Sequence, residues 1–172
     1  MIRSRTCTQP KPSLKGRHCE GSPVQVAYCN RYTCPDTRVF FTAIGVTGVT
    51  GSSIAKYSNI IQSYGNEYDT NTGNFTCKYP GIYMFSFQIS KQWWSHQPDF
   101  LECYICVNGV YRVGARSDPH GDDKDGYSIS VTGTFHLKIN DIVNVGACAA
   151  LFAAHNDARS SFTGVLIVPD KI

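Results

Sequence analysis

Most of the chain consists of short apolar segments separated by glycine, asparagine and aspartate. These segments predict strands at residues 39–45, 75–79, 81–90, 100–107, 110–115, 127–138, 142–148 and 161–168. The third strand shows the clearest alternation, because Tyr83, Phe85 and Phe87 share one face. Ile82 and Met84 place apolar side chains on the opposite face as well. A strand that is apolar on both faces is either central in a sandwich or pressed against another subunit.

Residues that favour turns separate these strands. Pro80 presets φ near −65° and Gly81 accepts a positive φ, so the chain can reverse between the strands at 75–79 and 81–90. Asn108–Gly109 is the strongest hairpin signal, because both residues accept the positive φ of a type I′ turn. Asn140–Asp141 turns the chain before the next strand. Turns at this spacing are typical of an all-β sandwich or jelly roll.

The segment 147–154 departs from this pattern. It is rich in alanine and has the composition of a helix, because alanine has the highest helix propensity. We interpret it as a strand that runs into a loop.

Charged residues make up only 17% of the 172 residues, below the average of about 25% for soluble domains. A low charged fraction suits a protein that buries surface between subunits. Residues 1–38 hold seven basic and two acidic side chains, a net charge of +5, whereas residues 39–172 hold nine and eleven, a net charge of −2. A basic arm on a nearly neutral domain indicates contact with a polyanion, either a glycosaminoglycan or a nucleic acid.

The eight cysteines favour an oxidising compartment. The first five residues are not followed by an apolar run, and no segment approaches the length of a membrane span. We therefore expect an extracellular protein whose signal peptide is absent from this chain and whose N-terminus begins within a domain.

A wider set of residues gives the main domain a family resemblance. The run from Gly73 to Phe87 is similar to a segment of the globular head domain of complement C1q. The resemblance continues on both sides of this run, at Tyr57, Gly65, Asn66, Tyr68, Asp69, Thr72, Asn108–Gly109, Leu137, Asp141–Val143 and Phe162–Leu166. Tyr57 stands where phenylalanine is usual in that family, and Ser63 stands where asparagine or aspartate is usual. The ordered set covers residues 39–172.

This resemblance implies a ten-stranded jelly-roll sandwich of the C1q and tumour necrosis factor type, assembled as a homotrimer through apolar faces. It also implies a disulfide between Cys77 and Cys103, where some relatives carry one. Cys106 and Cys148 would then form a second bridge or remain buried thiols. The C-x-x-C spacing of Cys103 and Cys106 does not indicate a redox centre, because residues three apart on a strand face opposite sides.

Residues 3–34, which begin with Arg-x-Arg-x-Cys, resemble the later part of a thrombospondin type 1 repeat. By this resemblance Cys7 pairs with Cys19. Two further cysteines lack their usual partners and would bridge each other, stay free or pair with another chain: Cys29 and Cys34. The tryptophans between which that family stacks its arginines are also missing. We expect residues 1–38 to be an incomplete and poorly ordered repeat.

The basic residues of this appendage are candidates for binding a heparin-like glycosaminoglycan. They are Arg3, Arg5, Lys11, Lys15 and Arg17. The alternative interpretation is a solvated remnant with no binding function, since the segment has little apolar surface to bury.

The loop 118–125 concentrates four carboxylates around a glycine turn, at Asp118, Asp122, Asp123 and Asp125. Calcium takes about six to eight oxygen ligands, which clustered carboxylates and loop carbonyls can supply. Some proteins that this chain resembles bind calcium, although the spacing here is not that of an EF-hand. The alternative interpretation is a solvated acidic turn without an ion.

Trp93, Trp94 and His96 follow the aromatic strand and are candidate ligand contacts. Paired exposed tryptophans stack on sugar rings or anchor a protein partner. Alternatively they cover one end of the sandwich core, although two adjacent residues of a strand cannot both point inward.

Asn74-Phe75-Thr76 is an N-glycosylation sequon. Its position next to a turn favours modification, whereas the strand that follows limits access. Asn74 is therefore a candidate glycosylation site.

No motif of an enzyme or of a cofactor site is present. The chain lacks G-x-S-x-G, a P-loop, H-E-x-x-H and a dinucleotide fingerprint, and its five histidines are scattered. We interpret the protein as a secreted, multivalent recognition module for innate-immune pattern recognition or for surface and matrix adhesion. Glycans, microbial surface polymers or extracellular proteins are its expected ligands, with no nucleic acid among them. The alternatives are a trimeric ligand that clusters a receptor, as cytokines do, and a matrix-assembly module.

Overall fold

The computed structural model of the chain describes residues 2–6, 15, 20–22, 24–26, 38–47, 54–65, 67–91, 100–118, 127–149 and 157–170. Its internal contacts divide the chain into two units, residues 1–36 and 37–172. In the first unit, β1 (Ile2–Ser4) and β2 (Val24–Val26) form an antiparallel pair with every residue exposed. No helix in the described ranges is long and apolar enough to cross a lipid bilayer.

The second unit is a sandwich of two five-stranded antiparallel sheets. The first sheet runs in the order β10 (Ser128–Leu137), β7 (Gly81–Ser90), β12 (Ser161–Pro169), β3 (Phe40–Thr47) and β4 (Lys56–Tyr64). The second sheet runs in the order β5 (Tyr68–Asp69), β6 (Asn74–Thr76), β11 (Ile142–Ala149), β8 (Leu101–Val107) and β9 (Val110–Ser117). These ten strands confirm the predicted all-β jelly roll.

The core of the sandwich is built from aromatic rings that alternate with outward residues. Tyr83, Phe85 and Phe87 of β7 are fully buried between the sheets, whereas Ile82 and Met84 on the same strand are 38% and 37% exposed. The alternation predicted for this strand is therefore confirmed. The ring of Phe85 packs 5.1 Å from that of Phe75 and 5.9 Å from that of Phe162, so it joins both sheets. Burial of one such ring contributes about 2–3 kcal/mol.

Strand β4 contains a register shift that interrupts its alternation. It spans nine residues. Its side chains do not alternate between buried and exposed, because the register with β3 shifts opposite Thr42 and Ala43. The shift places Ile60 and Ile61 side by side, and both are exposed. A bulge of this kind interrupts the period of two by which strands are recognised.

The two ends of the sandwich differ in their connections. At one end, which we call the turn end, the connections are short: residues 65–67, 77–80, 108–109 and 138–141. At the opposite end, the loop end, four connections are longer, residues 48–55, 91–100, 118–127 and 150–160, and the turn 70–73 between β5 and β6 is short. The turn at Asn108–Gly109 has φ values of 52° and 75°, which confirms the predicted hairpin between β8 and β9.

The chain reverses at Pro80–Gly81 between β6 and β7, and the two strands belong to different sheets, so the turn is a crossing between sheets and not a hairpin. The amide of Cys77 donates to the carbonyl of Asp141, which holds the start of the connection to the second sheet. The carbonyl of Pro80 accepts from the amide of Asp170, which holds its end to the first sheet. Gly81 is required there by close packing, since a Cβ would overlap the carbonyl oxygen of Val168.

Candidate functional site

The long connections of the loop end start from strand ends that are bonded to one another. The amide of Lys91 donates to the carbonyl of Tyr127 at 2.8 Å, so the segments 92–99 and 119–126 leave from adjacent positions. The hydroxyl of Ser90 lies 2.6 Å from that of Ser128 and donates to the carbonyl of Arg159 at 3.0 Å. The end of the connection 150–160 is thereby bonded to the same strand ends. We call Ser90, Lys91, Tyr127 and Ser128 the platform.

Lys91 is a buried cation at this platform. Its side chain is 5% exposed, its Nζ donates to the hydroxyl of Tyr127 at 3.0 Å, and the ammonium lies 5.1 Å from the centre of that ring. Cation–π contact and the hydrogen bond together offset part of the cost of removing the charge from water. Lys91 therefore fixes the point at which β7 leads into the tryptophan-bearing segment.

The predicted ligand residues Trp93, Trp94 and His96 lie outside the described residues, as do Asp122, Asp123 and Asp125. Of the four candidate calcium ligands only Asp118 is described, and it accepts from Nη2 of Arg116 at 2.8 Å. The guanidinium of Arg116 also lies 4.5 Å from the centre of the Phe100 ring. In the described part of the chain no three His, Cys, Asp or Glu side chains cluster as a metal site would require. Calcium binding stays a prediction.

The predicted disulfide between Cys77 and Cys103 is wrong. Cys103 is bonded to Cys148, with their Cα atoms 4.2 Å apart, while Cys77 and Cys106 are free and buried. The strand order explains the difference, because β11 lies between β6 and β8. Residues two strands apart are about 9–10 Å distant, beyond the reach of a disulfide.

A bulge in β11 brings Cys148 to its partner. The register between β11 and β8 shifts between Gly146 and Ala149, and Ala147 has a φ of 49°. Bulges re-aim a side chain by one position. The alanine-rich segment is a strand as far as Ala149, as expected, and residues 150–156 lie outside the described residues.

Asn74 is the first residue of β6 and is half-buried. Its Oδ1 accepts a hydrogen bond of 2.8 Å from Nδ2 of Asn144 on the neighbouring strand. Glycan attachment uses Nδ2 of Asn74, the other atom of the amide. Glycosylation of Asn74 stays a prediction.

In the first unit, Arg5 bonds to backbone carbonyls. Its Nε donates to the carbonyl of Ser22 at 3.2 Å and its Nη2 to that of Glu20 at 2.6 Å. A groove of about 540 Å³ lies beside these bonds and is lined by Arg3, Ser4, Arg5, Ser22, Val24 and Gln25. Cys7, Cys19, Lys11 and Arg17 lie outside the described residues.

The outer face of the first sheet carries two cross-strand rows without a charged side chain. One row is largely apolar: Tyr64, Phe40, Val165, Met84 and Thr134. The next row carries an amide and hydroxyls: Gln62, Thr42, Thr163, Ser86 and Thr132. We call these ten residues the uncharged face. A solvated sheet face normally carries polar and charged residues, so this composition suits contact with another protein surface.

The outer face of the second sheet is different, and no sequence motif marked it. Tyr104 of β8 stacks on Tyr111 of β9, with ring centres 5.2 Å apart and planes at 20°. The hydroxyl of Tyr104 donates to Glu102 at 2.6 Å, and this bond raises the pKa of Tyr104. Alternation along β8 could have revealed the face, since Glu102 and Tyr104 alternate with the inward Leu101, Cys103 and Ile105.

Each sheet also contributes one buried polar atom that has no hydrogen-bond partner in the described part of the chain. These atoms are the hydroxyl oxygen of Tyr57 on β4 and Oε1 of Glu67 before β5. Burial raises the pKa of both groups. Oε1 of Glu67 lies 3.8 Å from Nζ of Lys78, an ion pair too long to be a hydrogen bond.

The fold defines a class, the jelly-roll sandwich of two five-stranded sheets. The family model of the C1q domain matches residues 40–167, so the chain belongs to the C1q domain family. The globular domain of the zebrafish complement 1qA protein superposes with a TM-score of 0.56 at 18% identity, covering 77% of this chain and 99% of that one. Domains of this family are typically non-enzymatic, secreted modules that bind ligands and generally form trimers.

Two curated proteins show shorter similarity. A complement C1q subcomponent of Bos taurus is 36% identical over 56 residues, which cover 33% of this chain and 23% of that protein. The human protein named a disintegrin and metalloproteinase with thrombospondin motifs 16 is 51% identical over 41 residues, 24% of this chain and 3% of that protein. The aligned segments thus span less than a quarter of either relative.

Proposed function

We propose that the protein is a secreted, trimeric recognition module that binds ligands on microbial or extracellular surfaces through its loop end. The observation that carries this proposal is the grouping of the four longest connections of the sandwich at one end. Binding residues occur disproportionately on loops that a rigid scaffold positions. The bonded platform of Ser90, Lys91, Tyr127 and Ser128 is such a scaffold.

The uncharged face supports the trimeric part of the proposal. Ile82, Met84 and Val168 lie on the same side of the first sheet and are 37–50% exposed in the isolated chain. Association through this face would remove them from water, and three copies would bind a repetitive surface with far higher avidity than one. We further propose that the first unit is a thrombospondin-type segment that contacts sulfated glycosaminoglycans through Arg3 and through the guanidinium donors of Arg5 that do not bond to Ser22 and Glu20.

The test uses the full chain and a variant in which Trp93 and Trp94 are both changed to alanine. Wild-type protein should sediment with microbial cells or bind immobilised cell-wall polysaccharide, and the variant should lose at least tenfold in apparent affinity. The matched control is Tyr79→Ala, which removes an exposed ring at the turn end. Equal binding by wild type and the double variant would refute the role of the loop end. Saturable binding to host cells without binding to any polysaccharide would instead favour a receptor-clustering ligand.

A further inference from the structure

One cross-strand row on the outer face of the second sheet connects the sequon to the stacked tyrosines. Asn74 of β6 bonds to Asn144 of β11, Asn144 is the register partner of Cys106 on β8, and Cys106 is that of Tyr111 on β9. Asn74 and Tyr111 are therefore three strands apart on the same face, about 14 Å at the usual strand spacing. Tyr104 lies beside the end of this row and stacks on Tyr111.

The ring of Tyr104 can lie close to the sheet because its cross-strand neighbours are glycines. Gly114 and Gly146 are the cross-strand partners of Tyr104 on its two sides. A Cβ at Gly114 would overlap the ring of Tyr104, so the ring lies directly over the backbone of β9. Tyr111 is 62% exposed, although its ring is large and apolar. The structure thus holds the ring of Tyr104 against the sheet, and the ring of Tyr111, which stacks on it, is open to solvent.

The charges around these rings cancel. Glu102 and Asp118 are acidic, while Arg112, in the bulge of β9, and Arg116 are basic. Such a border attracts neither a polyanion nor a polycation, but its carboxylate and guanidinium groups can bond to hydroxyls. A patch of two rings is also far smaller than the roughly 800 Å² that a stable protein partner covers. These properties fit a neutral sugar.

We propose that Tyr104 and Tyr111 are the docking site for the chain's own N-linked glycan at Asn74, whose inner sugars lie along the outer face of the second sheet. A pyranose ring has one face of C–H bonds, which packs on the negative face of an aromatic ring. The hydrogen bond from Asn144 to Oδ1 orients the amide of Asn74 and leaves Nδ2 as the atom of attachment. The inner three residues of such a glycan reach over a distance comparable to the width of this row.

Attachment makes a weak stacking contact effective. A free sugar would have to be concentrated to occupy the exposed ring of Tyr111 and the half-buried ring of Tyr104, whereas a tethered sugar is held near them at an effective concentration in the millimolar range. The proposal concerns the second sheet alone and does not depend on ligand binding at the loop end. Its consequence is that this face is covered by carbohydrate in the secreted protein.

The experiment compares the full chain secreted from eukaryotic cells with four variants. Asn74→Gln and Thr76→Ala both abolish the sequon, and Thr76→Ala keeps the Asn74 side chain. Tyr111→Ala removes the outer ring, and Tyr79→Ala is the matched control at an exposed tyrosine elsewhere. Mass spectrometry of the wild type should show a glycan at Asn74, and native treatment with an N-glycosidase should release it at least fivefold faster from Tyr111→Ala than from Tyr79→Ala.

Thermal melting gives a second, independent measurement. Loss of the sequon should lower Tm by about 2–4 °C in the wild-type background and by much less in the Tyr111→Ala background. Three results would overturn the proposal: Asn74 without glycan in the secreted protein, equal release rates from Tyr111→Ala and Tyr79→Ala, or additive effects of the sequon and tyrosine changes on Tm. A wild-type circular dichroism spectrum of secreted Tyr111→Ala serves as the control for folding.

Discussion

The two sheets of the sandwich bury similar aromatic cores but present opposite outer faces. The first sheet shows two rows without charge, and its outward Met84 and Ile82 are more than a third exposed. The second sheet shows stacked tyrosines bordered by Glu102 and Arg116, and it contains the disulfide between Cys103 and Cys148. The inner faces form the hydrophobic core, whereas the composition of the outer faces determines which surfaces each sheet can contact. In the proposed trimer, the first sheet meets other copies of the chain and the second stays outermost.

The largest expected effect is on assembly, by a charge at the centre of the uncharged face. Met84→Asp should convert a trimer to monomers, because an unpaired buried charge costs about 3–5 kcal/mol. Val110→Asp places the same charge at an exposed position of the second sheet and should leave the mass unchanged. Light scattering at micromolar concentration measures both. Trimeric Met84→Asp, or monomeric Val110→Asp, would reverse the roles assigned to the sheets.

A smaller effect is expected when the second sheet loses its disulfide. Cys103 and Cys148 close a loop with a sequence separation of 45, so replacing both with alanine should lower the free energy of unfolding by about 4 kcal/mol. Cys77→Ala, at a buried free thiol, should cost only about 1 kcal/mol. Denaturant titrations compare the three proteins. Peptide mapping without reduction that found Cys77 linked to Cys103 would contradict the structure.

The first sheet should gain stability when Tyr57 is changed to phenylalanine. The Tyr57 side chain is fully buried, and its hydroxyl has no hydrogen-bond partner in the described part of the chain. Removing an unpaired buried hydroxyl should raise the free energy of unfolding by about 1 kcal/mol. A matched control is Tyr68→Phe, which should be destabilising because that hydroxyl accepts from the amide of Tyr57 at 3.0 Å. A loss of stability in Tyr57→Phe would mean that the hydroxyl has a partner in solution.

The smallest effect concerns the pH dependence that Glu67 gives to the second sheet. Burial raises the pKa of this carboxyl in the folded chain, so the folded state binds its proton more tightly than the unfolded state does. Stability from this group is therefore present below the unfolded pKa of about 4.3 and is lost as pH rises through the folded value. Glu67→Gln should flatten this slope by less than about 1 kcal/mol, because the ion pair with Lys78 partly offsets burial. Melting curves between pH 4 and 7 measure this slope, and equal slopes for the wild type and Glu67→Gln would contradict the effect of the buried carboxyl.

Local patterns predict most of the fold. The period of two along β7 and the Asn108–Gly109 turn depend only on neighbouring residues, and both are confirmed. The reversal at Pro80 could be expected from local residues, but not that it crosses between sheets, because the same turn chemistry serves a hairpin and a crossing. Which of the two forms depends on bonds to Asp141 and Asp170, far along the chain.

Features that depend on strand order could not be read from the sequence. The partner of Cys103 is decided by the insertion of β11 between β6 and β8, which no local signal reveals. The row from Asn74 to Tyr111 likewise requires the register of four strands. The candidate ligand loops could be located by composition, but their chemistry stays a prediction.

Both ends of the folded domain's chain lie at the turn end, where the carbonyl of Val39 accepts from Leu166 and the amide of Asp170 donates to Pro80. A carrier protein, dye or surface tether joined to the isolated domain before Val39 or after Asp170 would thus approach from the side opposite the long connections. Immobilised arrays made in this way would display those connections unobstructed, and reagents that detect binding could be built without redesigning the sandwich.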